Sequence, residues 1–208
     1  MENQHNTMII QRAASLRQPL LRGVVQVRHQ GSATGIPTSF HHKKWQRVYP
    51  LQDFDKKGHV NSDDFATWGE MSAKKVGIEL DDEAKKCWVI AGQNYFGNTK
   101  SYDEWVEYMV EFVNNYPNYI EMSEKLNIDM FKGIDFNNDG VVSLEEYKAL
   151  ITSVFPDLSE EDIQYGFDMI DENKDGVLSQ SEVSIAWARY YFDGEETKYR
   201  HFYGKWDG

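Results

Sequence analysis

Two twelve-residue segments, DFNNDGVVSLEE at 135–146 and DENKDGVLSQSE at 171–182, are identical at seven of twelve positions and start 36 residues apart. The shared residues are Asp, Asn, Asp, Gly, Val, Ser and Glu at the same offsets. A hard divalent cation of calcium's size takes six to eight oxygen ligands, so oxygens must converge from a short stretch of chain. Asp135, Asn137 and Asp139 would supply side-chain oxygens from alternate positions, Val141 its carbonyl, Ser143 a direct or water-borne contact, and Glu146 both carboxylate oxygens. The second segment repeats the set with Asp171, Asn173, Asp175, Val177, Ser179 and Glu182. Gly140 and Gly176 mark the sharp turn, where a Cβ would oppose a positive φ.

Helical periodicity flanks both segments. Phe131 and Ile134 precede the first, and Leu144, Tyr147, Leu150, Ile151, Val154 and Phe155 follow it. Ile163, Phe167 and Ile170 precede the second, and Val183, Ala186, Trp187 and Tyr190 follow it. These i, i+3, i+4 stripes predict amphipathic helices. Pro156 stops one helix, and Ser159 with Asp162 three residues on predicts the cap of the next. Val142 and Leu178, at the eighth positions, predict a short antiparallel bridge between the loops. The pattern D-x-[DN]-x-[DN]-G-x5-E resembles the calcium loop of EF-hand proteins, and implies two strong Ca²⁺ sites.

Two weaker units are expected upstream. DFDKKGHVNSDD at 53–64 keeps the spacing through Asp53, Asp55, His59, Asn61 and Asp64, but puts Lys57 at the fifth position and the shorter Asp64 at the twelfth. Two readings stay open: a weak or Mg²⁺-like third site, which needs Lys57 turned to solvent, or a metal-free loop that only joins two helices. Pro50 should shorten the incoming helix. QNYFGNTKSYDE at 93–104 lacks the acidic ligands and should hold no metal; Asp81 caps the helix before it, and Trp105, Tyr108, Met109 and Phe112 stripe the helix after it. The expected fold is all-α, with four helix-loop-helix units in two pairs (41–116 and 117–208) and short β bridges between paired loops. NNYPNY at 114–119 is the connector.

Residues 1–50 carry seven basic residues and one acid, whereas the remainder carries 15 basic against 33 acidic residues. Residues 1–40 are expected to be a basic head outside the fold, either a disordered tail or a mitochondrial-type presequence. His41 and His42 are assigned to that head. The location expected is cytoplasmic, or mitochondrial if the head is a presequence. Net charge of −12 disfavours nucleic acid as a partner, no apolar run approaches the ~20 residues of a membrane span, and the lone Cys87 cannot form an internal disulfide. Cys87 reads as a small buried hydrophobe. No nucleophile–base arrangement or phosphate loop appears, so an enzyme is not expected.

The chain over about 41–208 resembles the sarcoplasmic calcium-binding protein family of invertebrates. The resemblance rests on DFDKKGHVNSDDF, the two intact loops and the tail YYFDGEETKYRHFYGKWDG at 190–208. Calexcitin, coelenterazine-binding proteins and calcium-regulated photoproteins form the wider group. It implies calcium or magnesium in the first, third and fourth loops and a tail folded back over the domain. Photoproteins hold their luciferin among His, Trp and Tyr; Trp45, Trp68, Trp88, Trp105, Trp187 and Tyr203 supply several such residues here. Trp187 and Tyr191 stand where the group has His and Trp, and His201 is a poor substitute, so luminescence is not expected. The leading expectation is a Ca²⁺/Mg²⁺ buffer. The alternatives are a sensor that exposes a groove to a target protein, or a carrier of a coelenterazine-like luciferin. Five Met residues dispersed beyond residue 50, against 29 aromatic residues in the chain, favour a closed ring-packed core over a Met-rich groove.

Overall fold

The computed structural model describes residues 38–115 and 127–208. Residues 1–37, which hold most of the expected basic head, and most of the expected connector lie outside the described residues. Eight α-helices and one two-stranded bridge are present among the described residues: α1 Ser39–Val48, α2 Ser62–Lys75, α3 Asp82–Phe96, α4 Tyr102–Asn115, α5 Ile128–Ile134, β1 Val142–Ser143, α6 Leu144–Val154, α7 Glu160–Ile170, β2 Val177–Leu178 and α8 Gln180–Phe192. None of these helices is long and apolar enough to cross a membrane.

Local chemistry sets the boundaries. Side-chain oxygens of Asn61, Ser143 and Ser179 accept from the third backbone amide of α2, α6 and α8, and the acid there (Asp64, Glu146, Glu182) reaches back to complete a capping box. The last loop residue thus doubles as the capping acid of the outgoing helix, so helix formation itself fixes its carboxylate. Asp81 and Ser159 cap α3 and α7 as the sequence predicts. Pro50 ends α1 in a 3₁₀ turn, Tyr49–Leu51. The bridge pairs Val142 with Leu178 and Ser143 with Val177, antiparallel, in the expected register.

Two boundaries differ from expectation. Helix α1 begins at Ser39, capped by Thr38 and the His41 side chain, so His41 and His42 belong to the first helix rather than to a head. Helix α3 runs to Phe96, because no loop ligand interrupts it before Gly97 (φ +58°). Tyr95, expected in the second loop, is therefore a helical residue facing the core.

The described residues belong to one compact unit. Helix α2 packs on α6 as well as on its own partner α3, and α3 packs on α5. The core is a continuous field of rings that includes Trp45, Phe65, Trp68, Trp88, Trp105 and Trp187. The Trp88 indole is wedged between α2 and α5: a Cβ added at Gly69 or Gly133 would lie 2.4 or 2.8 Å from its Nε1. After α8 the chain turns back, and a 3₁₀ turn at Lys198–His201 lies against α7 and α8. The Tyr147 hydroxyl donates to the carbonyl of Phe202 (2.6 Å), and the amide of Lys205 to that of Asp162 (2.9 Å).

Candidate metal loops and aromatic core

The third and fourth loops share one backbone. The fourth and sixth positions have positive φ in both, Asn138 (58°) with Gly140 (90°) and Lys174 (58°) with Gly176 (85°). That reversal turns amides inward. In the third loop Gly140 N donates to Asp135 Oδ2 (2.9 Å), Asp139 N to Asp135 Oδ1 and Asn137 Oδ1 (both 3.0 Å), and Phe136 N to Glu146 Oε1 (2.8 Å). The fourth loop repeats the pattern with Gly176 N on Asp171 Oδ2 (3.0 Å) and Glu172 N on Glu182 Oε1 (2.9 Å). Burial opposes ionisation of Glu182, yet hydrogen bonds from Ser179, Glu172 and Asn173 hold its carboxyl below the usual range.

The donor set fits a divalent cation. Asp135, Glu146, Asp171 and Glu182 are buried at 6, 4, 7 and 9% exposure. Among the described residues no ion pair reaches any of them, nor Asp139 or Asp175. Asp171 Oδ1 is buried without any hydrogen-bond partner. Carboxylates removed from water without a counter-charge are costly unless a cation joins them.

The first loop has the same backbone but is closed by a lysine of its own. Lys56 (φ 56°) and Gly58 (92°) reproduce the turn, Gly58 N donates to Asp53 Oδ2 (2.7 Å), and Phe54 N to Asp64 Oδ1 (3.1 Å). Carboxylate oxygens of Asp53, Asp55 and Asp64 lie within 4.8 Å of one another. Lys57 does not turn to solvent: its ammonium lies 2.8 Å from Asp55 Oδ1 and 2.7 Å from Asp64 Oδ2, a carboxylate that is 1% exposed. Burial works against that ammonium, but the hydrogen bonds to Asp55 and Asp64 prevail and raise its pKa. The Asn61 amide donates to the same Asp64 Oδ2 (2.9 Å), and its side chain caps α2.

The comparisons with known proteins agree with this geometry. A family model described as an EF-hand domain pair matches residues 127–188, which span the third and fourth loops with their helices. Residues 127–188 are an EF-hand pair. Over 76 residues it is 37% identical to the luciferin-binding protein of Renilla reniformis, a match covering 36% of this chain and only 41% of that relative's length. The EF-hand fold extends further than that segment. The coelenterazine-binding protein of Renilla muelleri, solved calcium-loaded and without its ligand, superposes with TM-score 0.68 at 24% identity, over 81% of this chain and 97% of the other. Calcium-loaded apo-aequorin from Aequorea victoria gives TM-score 0.59 at 18% identity, over 76% and 91%. Calcium binding is the property that the EF-hand match and the calcium-loaded neighbours support.

Beyond the loops, the ring core contains a polar seam. Tyr191 on α8 and Tyr203 on the tail bring their hydroxyls within 2.9 Å, and Gln52, the residue before the first loop, donates to Tyr203 Oη (3.2 Å). All three are buried. The sequence reading named Trp187, Tyr191 and Tyr203 but missed Gln52, and nothing in the local pattern of a helix end could have found it. Four buried tryptophans donate their N–H to a backbone carbonyl: Trp45 to Tyr191 (2.9 Å), Trp68 to Leu150 (3.0 Å), Trp88 to Gly133 (2.9 Å) and Trp105 to Tyr95 (3.0 Å). Trp187, fully buried, has none among the described residues. Its ring lies 5.2–6.4 Å, centre to centre, from Phe65, Trp68, Tyr95, Tyr191, Phe202 and Tyr203. Cys87 is buried, and burial pushes its thiol up to about 11, which fits the inert reading.

Proposed function

We propose that this chain is a calcium-responsive carrier of a coelenterazine-like imidazopyrazinone, with two calcium ions held by the third and fourth loops. The carrying observation is the unpaired indole N–H of Trp187 at the centre of the ring core. A buried donor without an acceptor costs ~1–3 kcal/mol, and a flat aromatic ligand bearing a carbonyl or ring nitrogen would remove that cost. Such a ligand would stack between the rings around Trp187, with the Tyr191–Tyr203–Gln52 seam supplying further hydrogen bonds. The Renilla relatives named for luciferin and coelenterazine binding support the ligand class. A buffer, the leading expectation from sequence, needs no ligand and gives Trp187 no acceptor.

Coelenterazine titrated into the full chain should quench tryptophan emission saturably, one ligand per chain, at micromolar concentration. Its affinity should differ by at least ~5-fold between calcium-loaded and calcium-free protein, the lower end of ordinary coupling between sites. Trp187→Phe keeps the ring and removes the donor, and should weaken binding about 10-fold, the equivalent of one buried hydrogen bond. Absence of saturable quenching in both calcium states would return the chain to the buffer reading.

A further inference from the structure

The carbonyls at the end of a helix have no partners within it, and α8 has its own supplied from the opposite end of the sequence. The carbonyl of Tyr190 accepts from Lys44 Nζ, that of Tyr191 from Trp45 Nε1, and that of Phe192 faces His41 Nε2 at 2.9 Å. Asp193 accepts from Lys44 Nζ (2.7 Å) and Gly194 from the Thr38 hydroxyl (2.8 Å). Five consecutive carbonyls, 190–194, are thus met by four side chains of α1 and its cap. Helix α1 enters the first hand and α8 leaves the fourth, so the contact ties together the two ends of the EF-hand unit.

We infer that residues 38–45 act as a cap supplied across the fold to the outgoing helix of the fourth hand, and that His41 makes this cap a latch that holds near neutral pH and loosens in acid. The imidazole has one tautomer open to it. Its Nδ1 accepts from the amide of Thr38 (3.0 Å), so Nε2 carries the hydrogen and donates to Phe192. A second proton would have to sit on Nδ1, where it opposes the Thr38 amide and can turn only to the Thr38 hydroxyl (3.1 Å), which already accepts from the His41 amide and donates to Gly194, so the amide contact that completes the capping box of α1 is lost. The groups facing His41 divide. Burial, the Lys44 ammonium and His42 disfavour the charged ring, while the Phe192 carbonyl and the Asp193 carboxylate favour it. Asp193 is shared with Thr197 Oγ (3.0 Å) and Arg189 (3.6 Å). Burial prevails, and the His41 pKa falls below the ordinary 6.5. Lys44, between the rings of Phe40 and Tyr190, is pulled down to about 7 by burial against the pull of Asp193.

The sign of the pH dependence follows. A histidine that binds its proton less readily when folded contributes stability above the unfolded value near 6.5, and this is lost as pH falls through the lower folded value. His201 in the tail is also held low, first by burial and then by Arg200, so it adds an acid loss of its own. The comparison must therefore be with a variant that keeps His201. His41→Gln retains an N–H able to reach Phe192 and cannot titrate. Between pH 7.5 and 5.5, with calcium saturating, the full chain should lose about 2–4 °C more in melting temperature than His41→Gln for each pKa unit of displacement. Equal losses in the two proteins would overturn the latch. Ring-nitrogen NMR of the wild-type chain decides the matter should the variant not fold. An Nε2–H tautomer titrating below 6.5 is expected, and an Nδ1–H tautomer or a midpoint at or above 6.5 would overturn it.

Discussion

Saturating calcium should raise the melting temperature of the full chain by roughly 15–30 °C, and Glu146→Gln or Glu182→Gln should each remove about a third of that rise. A ligand that binds only the folded state at 1,000 times its dissociation constant stabilises by about 4 kcal/mol per site. Two loops give about 8 kcal/mol, and a chain of this size gains roughly 2–4 °C per kcal/mol. The expectation is anchored in the burial of the loop carboxylates. Among the described residues, four loop carboxylates are buried without a counter-charge, and Asp171 Oδ1 has no hydrogen-bond partner. Glutamine keeps the size and the capping-box contact at the start of α6 or α8, so the substitution separates ligation from helix capping. It removes the charge and one of two anionic oxygens, which should weaken that loop about 100-fold, or 2.7 kcal/mol. Calorimetry should then count one strong site in each variant. A melt that ignores calcium would overturn the assignment of both loops, and unchanged stoichiometry would overturn the assignment of that glutamate.

The parts legible in the sequence were those whose chemistry demands a fixed local spacing. A cation shell built from one loop must place oxygens at alternating positions, so the turning loops from Asp135 to Glu146 and from Asp171 to Glu182 could be located from their spacing. The bridge between Val142 and Leu178 followed from the same register. What was not legible depended on residues far apart in the chain. Gln52 and Tyr203, 151 positions apart, share a hydrogen bond because the tail returns to the first hand. His41 looked like part of a basic head because its partner, the Phe192 carbonyl, is equally remote. Tyr95 was placed in a loop by counting back from Glu104, although a helix continues until something stops it, and that is Gly97. Lys57 is the intermediate case. Its position in the loop was plain, but sequence does not say which way a flexible four-carbon stem lies.

That direction decides the number of calcium sites. With the ammonium seated between Asp55 and Asp64, the first loop carries its own cation, and a metal must displace a charge that is covalently tethered and so always present at high local concentration. Wild-type protein should therefore titrate two strong calcium sites, not three. Lys57→Asn removes the competitor and supplies an oxygen at the fifth position, while Asp64→Glu restores the reach of the closing carboxylate. The double variant should show a third calcium site. Lys57→Asn alone should lower calcium-free stability by about 1–2 kcal/mol, because the buried Asp64 loses its partner; a fully buried pair would lose more, but the lysine is partly exposed and water softens the cost. Calcium should recover that loss in the double variant. Lys57→Met serves as the contrast, since it removes the charge, adds no oxygen, and should give the destabilisation without the third site. Three strong sites in the wild-type titration, or only two in the double variant, would show that the tethered ammonium is not what closes the first loop to metal.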